Sequence, residues 1–215
     1  MKKIIKCLML FVTLLFTGAC SCDKPDFDLF KESLNKIEGY RYFAVSQEIY
    51  NEELLLHSNI KSIYVDGDKY RIEIDEKTIN DIEDENMYTE TETEYFQQGT
   101  TFYYKENGFW KTKNAEALET SSGYSVSEDI FSSYQIKEEN GNKILSGSIK
   151  NDSVSTLFGF DVSDVNELKM TVTINSNNKV KDVVLEYKAD NNNKVVVSIE
   201  VGYSQVIVFE LPTVE

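Results

Sequence analysis

Three cysteines, one histidine and a surplus of carboxylates are the residues in this sequence that could do chemistry. His57 is the sole imidazole and follows Leu54-Leu55-Leu56. A Ser-His-Asp relay needs an oriented histidine beside a nucleophile. The chain contains no G-x-S-x-G elbow to expose one, and the favoured reading of His57 is an ordinary strand histidine. Zinc needs several nitrogen or sulfur ligands, and no histidine pair exists. The carboxylates fall into a run (Asp81, Glu83, Asp84, Glu85) and an alternating stretch in which Glu90, Glu92 and Glu94 interleave with Thr89, Thr91 and Thr93. On a strand the three glutamates share one face at a spacing of about 7 Å. Such a row can bind Ca²⁺ weakly. The favoured reading is a solvated edge strand protected by charge, which needs no ligand. No calcium loop is spelled out, since Asp66 and Asp68 lack the following oxygen ligands and the closing Glu.

The aromatic residues cluster as well. Tyr40, Tyr42 and Phe43 form one group, Tyr95 and Phe96 a second, and Phe102, Tyr103, Tyr104, Phe109 and Trp110 a third. Because strand side chains alternate, some must point away from any single core face. They either line an apolar cavity or form cross-strand pairs.

The N-terminus carries an address. Met1-Lys2-Lys3-Ile4-Ile5-Lys6 is basic, and the apolar run 7–16 that follows is too short to span a bilayer, which is the pattern of a secretory signal. It closes on Thr17-Gly18-Ala19-Cys20, which resembles a bacterial lipobox: small residues precede a cysteine that becomes the new N-terminus. The resemblance implies cleavage between Ala19 and Cys20 and a diacylglycerol on the Cys20 thiol. Thr17 departs from the leucine commonest at its position. Ordinary cleavage after Ala19, or use of Cys22 as acceptor, are the alternatives. Two or three acyl chains anchor stably where one is marginal. The expected organisation is a signal peptide at 1–19, a lipidated tether at 20–26, and one domain at 27–215 on the outer face of the cell membrane.

The whole chain has 215 residues and a formal net charge of −15, with 41% apolar and 12% aromatic residues. That is too apolar for a disordered acidic tail. The charge excludes polyanions held mainly by electrostatics, such as nucleic acid or anionic lipid headgroups. Loss of residues 1–19 removes Lys2, Lys3 and Lys6 and no acid, which deepens the charge to −18. Such a charge should hold the domain off anionic headgroups and leave the lipid as its attachment. With Cys20 acylated, Cys22 has no disulfide partner, so stability must come from the core.

Residues 26–37 read as an amphipathic helix, with Phe27, Phe30, Leu34 and Ile37 on one stripe, Asp26 as cap and Gly39 as terminator. Most of the rest reads as β. Asp66-Gly67 as a two-residue loop would set Val65 against Asp68 and Ile63 against Tyr70, collecting Ile63, Val65, Tyr70, Ile72 and Ile74 on one face. Asn107-Gly108 and Asn140-Gly141 mark two more hairpins. Met170, Val172 and Ile174, then Val183, Leu185 and Tyr187, then Val195, Val197, Ile199 and Val201 spell a three-strand meander. A last strand carries Ile207, Phe209 and Leu211 to Pro212. Residues 115–131 read as a loop with a short helix from Ser127, and 152–158 as a helical turn. The fold class is mainly β (α+β): a curved antiparallel sheet or half-barrel with the N-terminal helix packed on it.

The order of these parts resembles the LolA/LppX–LprG superfamily of lipoproteins. The shared pattern is a lipobox, a short tether, an amphipathic helix, long hairpins, a late insertion, a meander and a terminal segment closing on Leu211-Pro212. The resemblance covers nearly the whole mature chain without a diagnostic motif. It implies a helix-lidded half-barrel cavity that binds acylated lipid, with Phe30, Leu34, Ile63, Ile72, Phe102 and Tyr104 in its wall. The expected function is a non-enzymatic binder of a lipid or other hydrophobic ligand, needing no cofactor and no metal. The alternative is a surface module that docks a protein partner through an acidic face or the aromatic hairpin. A surface hydrolase would need His57 in a cleft beside a carboxylate and a hydroxyl.

Overall fold

The computed structural model of the chain describes residues 25–80, 87–118, 121–150, 166–189 and 193–214. The expectations for the leader, Ala19, Cys20 and Cys22, the acidic run 81–85 and the turn at 152–158 lie outside the described residues. In chain order the first elements are α1 (Pro25–Asn35), β1 (Ile37–Glu38), β2 (Tyr42–Asn51), β3 (Leu54–Asp66), β4 (Lys69–Ile79), β5 (Tyr88–Gln98), β6 (Thr101–Glu106) and β7 (Phe109–Asn114). They are followed by β8 (Ser121–Ser122), a 3-10 turn (Glu128–Ile130), β9 (Phe131–Glu139), β10 (Asn142–Ile149), β11 (Asn166–Ile174), β12 (Val180–Lys188) and β13 (Lys194–Gly202). The fold is mainly β and antiparallel, with one α-helix among the described residues. The described residues form two compact units, one drawn from 25–38, 121–150, 166–189 and 193–194, the other from 39–80, 87–118 and 195–214.

In the first unit, β12, β11, β10 and β9 lie side by side in that order. Leu145 pairs with Val172, Val172 with Val183, and Met170 with Leu185. The alternation legible in the meander thus becomes one continuous apolar face, and all five of these residues are buried. Helix α1 packs on it. Phe27, Phe30 and Leu34 are each 1% exposed, and the Phe27 ring meets Phe131 at 6.0 Å and Tyr134 at 5.5 Å. Burying each such side chain contributes about 1.5–3 kcal/mol.

The helix ends earlier than its apolar stripe predicts. It stops at Asn35, and Ile37 continues as β1, pairing with Ser122 of β8. The Tyr124 N–H donates to the Leu34 carbonyl at 2.8 Å, so a returning segment closes the helix end and Gly39 does not. At the other end, Pro25 begins the helix with φ already suited to it, and Asp26 sits in the first turn beside Asp28 instead of capping from outside. Ile37 nonetheless stays 1% exposed, because strand geometry still points it inward.

In the second unit the order is β7, β6, β5, β4, β3, β2, β13. The hairpin expected at Asp66-Gly67 is present with a different register. Asp66 pairs with Lys69, Val65 with Tyr70 and Ile63 with Ile72, so the loop is Gly67-Asp68. Gly67 alone takes a positive φ, +65°, as a glycine-first turn requires. The Asn107-Gly108 and Asn140-Gly141 loops use positive φ at both residues, which is the Asn-Gly turn geometry. The register moves by two residues, so the predicted face survives intact.

Residues 203–214 form no strand, contrary to expectation. The alternation persists without a ladder: Ile207, Phe209 and Leu211 are half-buried, while Val206 and Val208 are 93% and 79% exposed. Phe209 packs its ring 5.8 Å from Phe96, so this segment is held by side chains.

Candidate ligand-binding face

The registers of the second unit place its side chains in rows across the strands. Phe43, Ile63, Ile72 and Tyr95 form one row. Val65, Tyr70, Gln97 and Phe102 form the next, and Tyr104 follows Phe102 two residues on. Val45, Lys61, Ile74 and Thr93 flank the first row on its other side. Phe43, Val65 and Ile72 are buried, whereas Ile63, Tyr70, Ile74, Tyr95, Phe102 and Tyr104 are only half-buried. Tyr95 and Phe102 stack at 5.3 Å, and the Lys113 ammonium lies 5.1 Å from the Phe102 ring and 5.3 Å from Tyr104. Lysine stems commonly cover aromatic surface in this way while the charge stays in water.

Further along the same face the rows become polar. Gln47, Asn59, Glu76 and Thr91 are aligned, and His57 and Thr78 pair beyond them. The His57 Nδ1 and the Thr78 hydroxyl share a hydrogen bond of 2.9 Å. No carboxylate hydrogen-bonds to that ring among the described residues. Gln47 is buried, and the Asn59 Oδ1 is buried with no hydrogen-bond partner. Burying an amide oxygen unpaired costs about 1–3 kcal/mol. The face is therefore amphipathic, grading from aliphatic and aromatic rows to a row of polar groups.

The opposite face of these strands is charged and aromatic. Arg71 donates from Nε to Glu94 at 2.8 Å and from Nη2 to Glu73, and its guanidinium sits 5.5 Å from the Tyr64 ring. Burial, then the hydrogen bond to Glu73, pushes the Tyr64 hydroxyl up to about 12. Burial does the same to Tyr40. Phe96 and Trp110 meet edge to face at 5.4 Å here. The aromatic clusters thus divide between the two faces. A hollow of about 550 Å³ lies on this charged face, lined by Arg71, Glu73, Asp75, Glu92, Glu94 and Lys105, with two β5 neighbours.

Of the six residues assigned to a cavity wall, Ile63 and Ile72 are direct cross-strand partners, and Phe102 and Tyr104 are consecutive on one face of β6. Phe30 and Leu34 belong to the first unit and are fully buried under its helix. Two hollows of the first unit, of about 640 and 420 Å³, share Ser133, Tyr134 and Gln135 in their linings and contain none of the six. The polar row with Gln47 and Asn59 escaped sequence reasoning. Its only signal was polar residues at the inward parity of β2, β3 and β4.

No family model matches the chain, and no curated protein matches it. Among solved structures it is similar to the crystal structure of LprF from Mycobacterium bovis, at a TM-score of 0.41 and 13% identity, covering 87% of this chain and 97% of that one.

Proposed function

We propose that the protein is a non-enzymatic binder of a lipid or another apolar ligand, held at the outer face of the cell membrane through a lipid on Cys20. The observation that carries this reading is the contrast between two apolar faces. In the first unit Leu145, Leu168 and Val172 are 0–1% exposed, which is a filled core. In the second unit six aliphatic and aromatic residues of one face stay half-covered across three adjoining rows. Apolar pockets with a few convergent polar groups are the usual form of a small-molecule site. The polar row beyond, with its unpaired Asn59 oxygen, supplies those groups. The basic leader and the lipobox-like Thr17-Gly18-Ala19-Cys20 support the anchored, extracytoplasmic placement.

The test is a titration of the protein with a fatty acid carrying an environment-sensitive fluorophore. Saturable binding is expected, weakened by Ile63→Asp with the circular dichroism spectrum unchanged. A folded protein that gives no saturable signal would overturn the reading.

A further inference from the structure

Strand β5 is paired unequally on its two sides. Toward β4 it is in register along its whole length, from Tyr88 opposite Ile79 to Gln98 opposite Lys69. Toward β6 only Phe96, Gln97 and Gln98 are paired. Residues 88–95 therefore present one edge of main-chain N–H and C=O groups with no strand partner among the described residues. The hollow of about 550 Å³ opens at this edge, with residues 92–95 of β5 and Lys105 of β6 in its lining. An unpaired edge of this length is a template for one more strand.

The side chains on that edge select the strand it would take. Glu90, Glu92 and Glu94 share one face, where Asp75 stands opposite Glu92 and Glu73 opposite Glu94. Like charges directly opposite each other destabilise a sheet. Arg71 relieves the Glu73–Glu94 pair. Lys77 stands opposite Glu90. Asp75 and Glu92 between them have no ion-pair partner among the described residues, so the middle of this face keeps a net negative charge. Thr89, Thr91 and Thr93 on the other face carry no charge.

We propose that this edge receives an extended basic segment of a partner protein, added as a strand beside β5 with Lys or Arg at alternate positions over Glu92 and Asp75. The same charges oppose pairing with another acidic copy of this chain, whose net charge is −15. The row thus discriminates among strands as well as protecting the edge. This inference is independent of the ligand reading, because it uses the opposite face and the backbone edge.

The experiment mixes the full protein with an eight-residue peptide of alternating Lys and Thr. Two controls accompany it: the same peptide N-methylated at alternate residues, and a Glu-Thr peptide. Binding by calorimetry is expected for the first peptide only, with slowed amide exchange confined to residues 88–98. The double variant E90K/E92K, changed at exposed positions, should weaken that binding about tenfold. Absence of binding would overturn the proposal. So would equal binding of the N-methylated peptide, which would show charge attraction without strand addition. Slowed exchange in the absence of peptide, rising with protein concentration, would assign the edge to a second copy and also overturn it.

Discussion

Glu73 and Glu94 stand directly opposite each other on β4 and β5, and Arg71, one pleat away, binds both. Without the guanidinium the two carboxylates would repel across the ladder. The arginine is partly exposed, so solvent screens much of its effect. Arg71→Ala is expected to cost about 1 kcal/mol in urea unfolding, with the loss shrinking at high salt. An equal loss at low and high salt would instead mean that Arg71 acts through its packing on Tyr64.

The tyrosines give the fold an alkaline limit. Tyr40 and Tyr64 are held up to about 12, against 10 for an unperturbed phenol, chiefly by burial. A raised acid group stabilises the folded state fully below its unfolded value, and that contribution is lost as pH climbs through the folded one. Tm should therefore fall between about pH 10 and 12. Tyr40→Phe should flatten this part of the profile. A double variant with Tyr64→Phe should flatten it further.

Gly147 marks a close approach between backbone and rings. A Cβ built there would lie 2.5 Å from the Phe131 ring and 2.7 Å from the Ser133 carbonyl oxygen. The missing side chain leaves room for Phe131 and Tyr134 beneath Phe27 of the helix. Gly147→Ala is expected to destabilise by about 1–3 kcal/mol, since backbone cannot move aside as a flexible side chain can. Thermal unfolding that shows no loss would mean the strand edge yields.

Much of this architecture was legible from residue order, for identifiable reasons. Met170, Val172 and Ile174 declared their strand because one face is fully buried and the other is not. The Asn-Gly loops declared their geometry because both residues take positive φ. Asp66-Gly67 was ambiguous, since glycine serves either as the second residue of one loop or as the first of another. Only the structure selects Gly67-Asp68. The helix end was hidden because the group that closes it, the Tyr124 N–H, lies far along the chain. Ile207, Phe209 and Leu211 alternate as a strand would, yet alternation reports which side chains are covered and says nothing of a ladder partner. The candidate face was half legible: Ile63 and Ile72 came from the hairpin pattern. Gln47 and Asn59 look in sequence like solvated residues, because an inward polar group is recognisable only once its strand register is known.

The anchor proposed above would rest on the Cys20 thiol. Cys20→Ser should move the protein from the membrane to the soluble fraction and remove the lipid mass from its N-terminal peptide. Cys22→Ser should leave both unchanged. Release by the second substitution alone would make Cys22 the acceptor.

The claim that the second unit offers an apolar ligand site is tested most directly by native mass spectrometry of the protein purified from a lipid-containing host, with lipid extraction alongside. The account predicts a stoichiometric adduct of lipid mass that survives transfer and is depleted by Ile63→Asp. A folded protein at its bare mass, with no lipid in the extract, would contradict it.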